Sequence, residues 1–145
     1  MRLVTYPFIA MGNHCRYEFV SEGPNGTIKK VVMYQKIGEG VYNLAFGDEN
    51  EGKKRVDDIA RTNNGDRDQV LATVASTILD FMKYYPEAII VAKGSTPART
   101  RLYQMAIARN LNPIETLFNI VGFYNGKSEP FISGKNYQAF LLQAK

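Results

Sequence analysis

The sequence is poor in the residues that most often bind metals or form covalent links. Among its 145 residues, Cys15 is the single cysteine and His14 the single histidine. One cysteine excludes an internal disulfide and a thiolate metal cluster, and one histidine excludes a multi-histidine metal site. Nothing at the N-terminus resembles a secretion signal, so we expect a reducing, cytoplasmic location. The apolar runs are far shorter than the ~20 residues that span a bilayer, so we expect a soluble protein that does not enter membranes.

Tryptophan is absent, and neither sign of charge dominates. The 18 basic and 14 acidic residues give a net charge of +4, which permits nucleic-acid or acidic partners without requiring them. The chain is 45% hydrophobic and 22% charged, as is typical of one globular domain, which we expect to span residues 1–145. With no tryptophan, the nine tyrosines and eight phenylalanines must supply most of the aromatic core.

Local patterns predict an α+β fold. The N-terminal third alternates in side-chain character and is interrupted by glycine-containing turns, which predicts a meander of three antiparallel strands ending at Phe46. A charged segment at 48–65 predicts an exposed loop. Beyond this segment, the spacing of apolar residues changes to three- and four-residue intervals, which is typical of helices. The elements predicted beyond the loop are a helix at 66–85, a buried strand at 88–92, a helix at 97–110, a strand at 117–124 and a short C-terminal helix.

The order of these elements resembles that of the ribonuclease H-like fold, with helices packed on a mixed sheet. Arg61-Thr62-Asn63-Asn64, ahead of the first helix, is similar to the threonine and asparagine run of that superfamily. The resemblance implies a metal-dependent nuclease that uses Glu22 together with Asp66 or Asp68. The strand expected to supply another acid instead ends at Lys93, whose positive charge would repel magnesium.

A second resemblance covers nearly the whole chain. It is carried by four strings, Ser21-Glu22-Gly23-Pro24, Tyr42-Asn43-Leu44-Ala45-Phe46-Gly47-Asp48, Asn63-Asn64-Gly65-Asp66 and Gly94-Ser95-Thr96-Pro97-Ala98-Arg99-Thr100-Arg101-Leu102-Tyr103. They resemble a family of small bacterial proteins, mostly from Bacteroidetes, known only as a domain of unknown function. The resemblance implies a stand-alone bacterial protein and transfers no activity.

The residues most suited to a ligand form a basic turn between the buried strand and the second helix. Pro97 fits the first position of a helix, and free backbone amides at such a position attract phosphate or carboxylate. The predicted ligand-binding residues are Lys93, Gly94, Ser95, Thr96, Arg99 and Arg101. The turn lacks the P-loop and dinucleotide signatures, so no cofactor is predicted. It is similar to an acetyltransferase-like arrangement, in which a pyrophosphate lies between a central strand and a helix, but it lacks the glycine-rich signature.

Two further groups of residues have plainer interpretations. The aromatic residues of the meander, with Lys29, Lys30 and Lys36, suit base stacking, although core packing is the favoured explanation. His14 and Cys15 are adjacent on a strand and point to opposite faces, so a catalytic dyad is not expected.

The hypothesis favoured by the sequence is a non-catalytic module that binds a nucleic-acid backbone or a phosphorylated ligand at residues 93–101. The alternatives are an enzyme, either a metal-dependent nuclease or an acyl or phosphoryl transferase, and a protein-interaction subunit that self-associates through tyrosines. The first hypothesis predicts salt-sensitive binding.

Overall fold

The computed structural model describes residues 5–24, 26–50, 55–57, 65–94, 96–109 and 111–145. In chain order, the elements are β1 (Ile9–Met11), β2 (Arg16–Gly23), β3 (Gly26–Gly38), β4 (Val41–Asn50), β5 (Arg55–Asp57), α1 (Arg67–Tyr84), β6 (Ile89–Ala92), α2 (Pro97–Arg109), α3 (Leu111–Leu117), β7 (Phe118–Tyr124), β8 (Lys127–Pro130) and β9 (Ala139–Ala144). None of the helices in these ranges has the length and apolar character needed to cross a membrane.

The strands form one mixed sheet. Its order is β1-β2-β3-β4-β6-β9-β7-β8, and β5 pairs with the end of β4. The first four strands are antiparallel neighbours, and Gly26 and Gly40 have positive φ at the turns of the two long hairpins. β6 lies parallel to β4 and antiparallel to β9. The single parallel pairing of the described strands therefore lies in the middle of the sheet.

The hydrophobic core covers one face of this sheet. Val32 lies opposite Tyr17 on β2 and opposite Phe46 on β4, and all three side chains are buried. The same face continues across β6, β9 and β7, where Ile90 and Ile120 both lie opposite Leu142. Because side chains alternate between faces along a strand, this register places the strand residues of the main hydrophobic cluster on one side, whereas the buried Val31 lies on the other face.

Helix α1 packs on this face through aromatic contacts. Phe81 stacks on Tyr34, with 4.1 Å between the ring centroids, and the Tyr34 hydroxyl lies 2.9 Å from the Thr77 hydroxyl. Helix α2 packs against α1, and α3 contacts both α2 and β7. Burial raises the pKa of the Tyr34 hydroxyl, so the phenol stays neutral within the core.

The predicted α+β domain with helices packed on a mixed sheet is confirmed, as are the hairpin, the two helices and the interior strand β6. The ribonuclease H-like order is not confirmed. The meander, α1, β6 and α2 follow in the predicted order, but the short strand β1 precedes them. The C-terminal part contains α3, β7, β8 and β9.

Two predictions about individual segments are wrong. The C-terminal tail was expected to be a helix, but residues 139–144 form β9 because β6 and β7 both offer it a pairing edge. The prediction of a loop at 48–65 is wrong for two parts of that range, since β4 continues to Asn50 and β5 occupies Arg55–Asp57. Residues 51–54 and 58–64 of that predicted loop lie outside the described residues.

Candidate functional site

The candidate site lies at the carboxyl ends of the two parallel strands, β4 and β6. Helix α2 follows β6 after a short turn, and α1 begins after the segment that follows β4 and β5. Ligands of open α/β sheets commonly bind beyond the carboxyl ends of parallel strands. Helix N-termini carry unpaired amides and a partial positive charge, so this end of the sheet is suited to an anionic ligand.

The parallel pairing opens at this end. β6 pairs with β4 only from Val41 to Leu44, and β5 pairs with β4 from Asp48 to Asn50, so Ala45–Gly47 form a gap between the two partners. In a parallel ladder, the next β4 amide to face β6 after Leu44 belongs to Phe46. The Phe46 N–H instead donates to the Tyr103 hydroxyl at 3.1 Å, because β6 has already ended at Ala92. A tyrosine hydroxyl from α2 thus occupies the place where a strand carbonyl would continue the ladder.

The buried face of α2 is unusually polar. Thr100, Tyr103, Gln104 and Ile107 are spaced at three- and four-residue intervals, which places them on one side of the helix. All four are buried, and Tyr103 retains 8% of its exposure. Prediction from sequence missed Thr100, Tyr103 and Gln104 as site residues. The signal that could have revealed them is the presence of polar side chains at helical positions where core residues are expected.

Part of the hydrogen-bonding capacity of the predicted anion-binding turn is used by contacts within the protein. The Gly94 N–H donates to the Thr100 hydroxyl at 2.9 Å, and that hydroxyl lies 3.2 Å from the Thr96 carbonyl. Lys93, Thr96 and Arg101 are exposed. Arg101 forms no ion pair with a described acid. Ser95 and the Arg99 side chain lie outside the described residues.

The far end of β4 carries a buried ion pair. Lys30 on β3 lies opposite Asp48 on β4, and the Lys30 ammonium donates directly to the Asp48 carboxylate. Lys30 is only 1% exposed. The stacking platform that included this lysine is therefore wrong. Tyr17, Phe19, Tyr34 and Phe46 are also buried, as expected for core packing.

The acids considered for a nuclease serve other contacts. The Asp66 carboxylate, at the N-cap of α1, accepts hydrogen bonds of 2.5 Å from the hydroxyls of both Tyr6 and Ser21. Glu22 approaches this cluster through its main chain, since its N–H donates to the Tyr6 hydroxyl at 3.2 Å. Across the described part of the chain, no three histidine, cysteine, aspartate or glutamate residues are placed to hold a metal ion.

His14 is paired with an acid and not with Cys15. Its Nδ1 lies 3.2 Å from an Asp80 carboxylate oxygen, and the Tyr17 hydroxyl donates to the same oxygen at 2.7 Å. Burial and this hydrogen bond raise the pKa of Tyr17, so its hydroxyl remains a donor. The imidazole also stacks on Tyr84, and Cys15 contacts the Tyr85 hydroxyl. This cluster lies near the C-terminal end of α1, remote from the opening.

Comparison with known proteins identifies the family of the chain. Its sequence matches the model of a family of unknown function (DUF6934) over residues 2–145, so the chain belongs to that family. No curated protein and no solved structure matches the chain. The predicted membership of a family of unknown function is thereby confirmed.

Proposed function

We propose that the chain is an acyltransferase that takes its acyl group from a phosphorylated thioester of the coenzyme A kind. Membership of a family of unknown function assigns no activity, so the proposal rests on the site itself. The observation that carries this proposal is the contact at the opening between β4 and β6, where the Phe46 N–H donates to the Tyr103 hydroxyl. A main-chain amide and a phenol lie side by side there, at the carboxyl ends of two parallel strands.

The opening suits an extended donor. Between the end of the β6 pairing at Leu44 and the start of the β5 pairing at Asp48, a chain that bears amide groups can pair with the short edge of β4 in the manner of an added strand. Its phosphates would then lie near the helix N-termini, where Lys93, Gly94, Ser95, Thr96, Arg99 and Arg101 are the proposed contacts. A pantetheine arm that ends in a pyrophosphate combines both features. This proposal also agrees with the acetyltransferase-like character of the turn after β6.

The two groups at the opening suit acyl transfer. As the acceptor nitrogen or oxygen attacks the thioester carbonyl, the Phe46 N–H donates to the developing oxyanion. The carbon–sulfur bond then breaks, the acceptor retains the acyl group, and the leaving thiolate takes the proton of the Tyr103 hydroxyl. The proton lost by the acceptor passes to water, and water returns a proton to the Tyr103 phenolate, which restores the enzyme. The Phe46 amide must exchange its tyrosine partner for the substrate carbonyl during this sequence.

The test compares two tyrosine variants. Coenzyme A binding is measured by calorimetry, and transfer from acetyl-coenzyme A is measured as thiol release with a panel of primary amines. Tyr103→Phe should lower kcat about 100-fold, because it removes the proposed acid, while the Kd for coenzyme A changes by less than about twofold. Tyr17→Phe is the matched control. The Tyr17 side chain is also buried, and its hydroxyl donates to Asp80 at 2.7 Å in the cluster near the C-terminal end of α1, remote from the opening.

Absence of coenzyme A binding at millimolar concentration would refute the proposal. So would a Tyr103→Phe variant that transfers as fast as the wild-type protein. Equal losses of activity in both tyrosine variants would indicate a general effect on folding and would also count against a catalytic hydroxyl at Tyr103.

A second candidate is non-catalytic binding of a nucleic-acid backbone or a phosphorylated ligand at residues 93–101. It is favoured by the exposure of Lys93 and Arg101. Fluorescence anisotropy with labelled single- and double-stranded DNA and RNA tests it. Binding should weaken steeply between 50 and 200 mM salt and weaken further in Lys93→Ala/Arg101→Ala, because each phosphate contact releases counterions (about one ion per contact). Salt-independent binding would contradict it.

A further inference from the structure

We propose that Gln104 is a positioning residue, which holds α2 so that the Tyr103 hydroxyl reaches the Phe46 amide; its kinetic consequence rests on the function proposed above. Gln104 is 7% exposed, and both ends of its amide are used. Its Nε2 donates to the Lys135 carbonyl, and its Oε1 accepts from the Tyr137 N–H at 3.3 Å. Both partners lie in residues 131–138, which connect β8 to β9 and are here termed the strap.

The strap lies at the same end of the sheet as the opening. β9 begins directly after it, and Phe140 on β9 is opposite Ala92, the last residue of β6. The two hydrogen bonds of Gln104, here termed the Gln104 clamp, therefore join α2 to the strap on the β9 side of β6. The Tyr103 hydroxyl joins α2 to β4 on the other side of β6. Side chains of adjacent helical residues diverge by about 100°, so the two contacts fix α2 from two directions.

The strap itself is firmly anchored. The Tyr137 ring packs so closely on Gly122 that an added Cβ would lie 2.5 Å from the ring. The Tyr137 hydroxyl donates to Glu129 at 2.7 Å, and the Lys135 ammonium lies 2.9 Å from both oxygens of the same carboxylate. Lys135 also lies 4.0 Å above the Tyr124 ring. These contacts give the strap the rigidity that a positioning contact requires.

The hydroxyl of Tyr103 stands at the end of a long side chain, so a small rotation of α2 moves it out of reach of β4. A misplacement of about 1 Å at a reacting group costs about 100-fold in rate. Loss of the clamp should therefore impair the chemical step more than donor binding. This distinguishes positioning from a contribution to stability alone.

The experiment uses the full chain and two variants of α2. Gln104→Met keeps the length of the side chain and removes both hydrogen bonds. Ile107→Val, one turn further along the same face, is the control for loss of core packing, since Ile107 is also buried. Amide hydrogen exchange is measured by NMR at Phe46. The Tyr34 N–H, which donates to the Cys15 carbonyl at 2.8 Å, is the reference within the meander.

In Gln104→Met, the ratio of the Phe46 exchange rate to the Tyr34 exchange rate should rise at least tenfold and approach the ratio found in Tyr103→Phe. In Ile107→Val, the ratio should stay at its wild-type value. If the proposed transferase activity exists, kcat should fall about 100-fold with the donor KM within twofold. A Phe46 amide as protected in Gln104→Met as in Ile107→Val overturns the inference. The exchange arm needs no substrate, so it decides the role of Gln104 even where the proposed activity fails.

Discussion

Strand β6 has two neighbours, and they end differently beside it. On one side, β9 begins at Ala139, one residue before Phe140, which lies opposite the last β6 residue, Ala92, so β6 is paired with β9 along its whole length. On the other side, β4 runs on to Asn50 after β6 has ended, and its edge stays without a partner among the described strands at Ala45–Gly47 until β5 pairs with it from Asp48. The first boundary closes the core, and the second exposes main-chain groups that a helix side chain must satisfy. The difference in strand length, and not a special sequence motif, creates the candidate site.

The two boundaries are also stabilised by different chemistry. Beyond β6, the extension of β4 carries the buried Lys30–Asp48 pair. On the β9 side, an aromatic ring lies on a glycine, as Tyr137 packs on Gly122. One boundary thus depends on a charge pair and the other on close packing. Substitutions can test each of these separately.

The largest effect is expected at the buried pair. Lys30→Met keeps the shape of the side chain but leaves the Asp48 carboxylate buried without its cation, which should lower the free energy of unfolding by about 3–5 kcal/mol. Urea unfolding followed by circular dichroism measures the change. The double variant Lys30→Met/Asp48→Leu should recover most of this loss, because no buried charge remains. A loss below about 1 kcal/mol in the single variant would mean that the pair does not hold the β4 extension.

A smaller loss is expected at the closed boundary. In Gly122→Ala, the new methyl group would lie 2.5 Å from the Tyr137 ring, and that ring is held at its hydroxyl end by Glu129. Overpacking of this kind should destabilise the protein by about 1–3 kcal/mol. Gly38→Ala is the matched control, since the nearest atom there is 3.9 Å away, and its effect should stay within about 0.5 kcal/mol. Equal stabilities of the two variants would show that the ring moves freely.

The contrast between the two boundaries explains which parts of the molecule the sequence predicts. Helix α1 and the β2–β3 hairpin follow from local periodicity and turn residues, so both are predicted from sequence. The end of β6 at Ala92 is predicted from sequence, whereas the end of β4 at Asn50 is set by partners distant in sequence. Neither the opening nor the contact between Phe46 and Tyr103 follows from any local pattern.

The C-terminal strand shows the same dependence on distant partners. Phe140-Leu141-Leu142 is a short apolar run that is compatible with a helix or a strand. It forms a strand because β6 and β7 each pair with it along one edge. Of the predicted binding turn, the sequence correctly places the strand end and the helix start. It does not reveal that the Thr100 hydroxyl already serves the Gly94 amide.

The smallest effect concerns the acid that anchors the strap. Hydrogen bonds from Lys135 and Tyr137 lower the pKa of the Glu129 carboxyl below its ordinary value of 4.5. Because the folded-state pKa is lowered, the contribution of Glu129 to stability is complete above the unfolded-state value and is lost as pH falls through the folded-state value. Glu129→Gln should therefore be less stable than the wild-type protein at pH 6, and this difference should shrink as the pH falls below about 4.5. Urea midpoints measured from pH 6 to pH 3 test this, with Glu115→Gln on the exposed surface of α3 as the control.

A difference that stays constant over this range would mean that Glu129 stabilises the strap by its shape and not by its charge. The closed boundary would then depend on packing alone, in sharper contrast with the ion pair on β4.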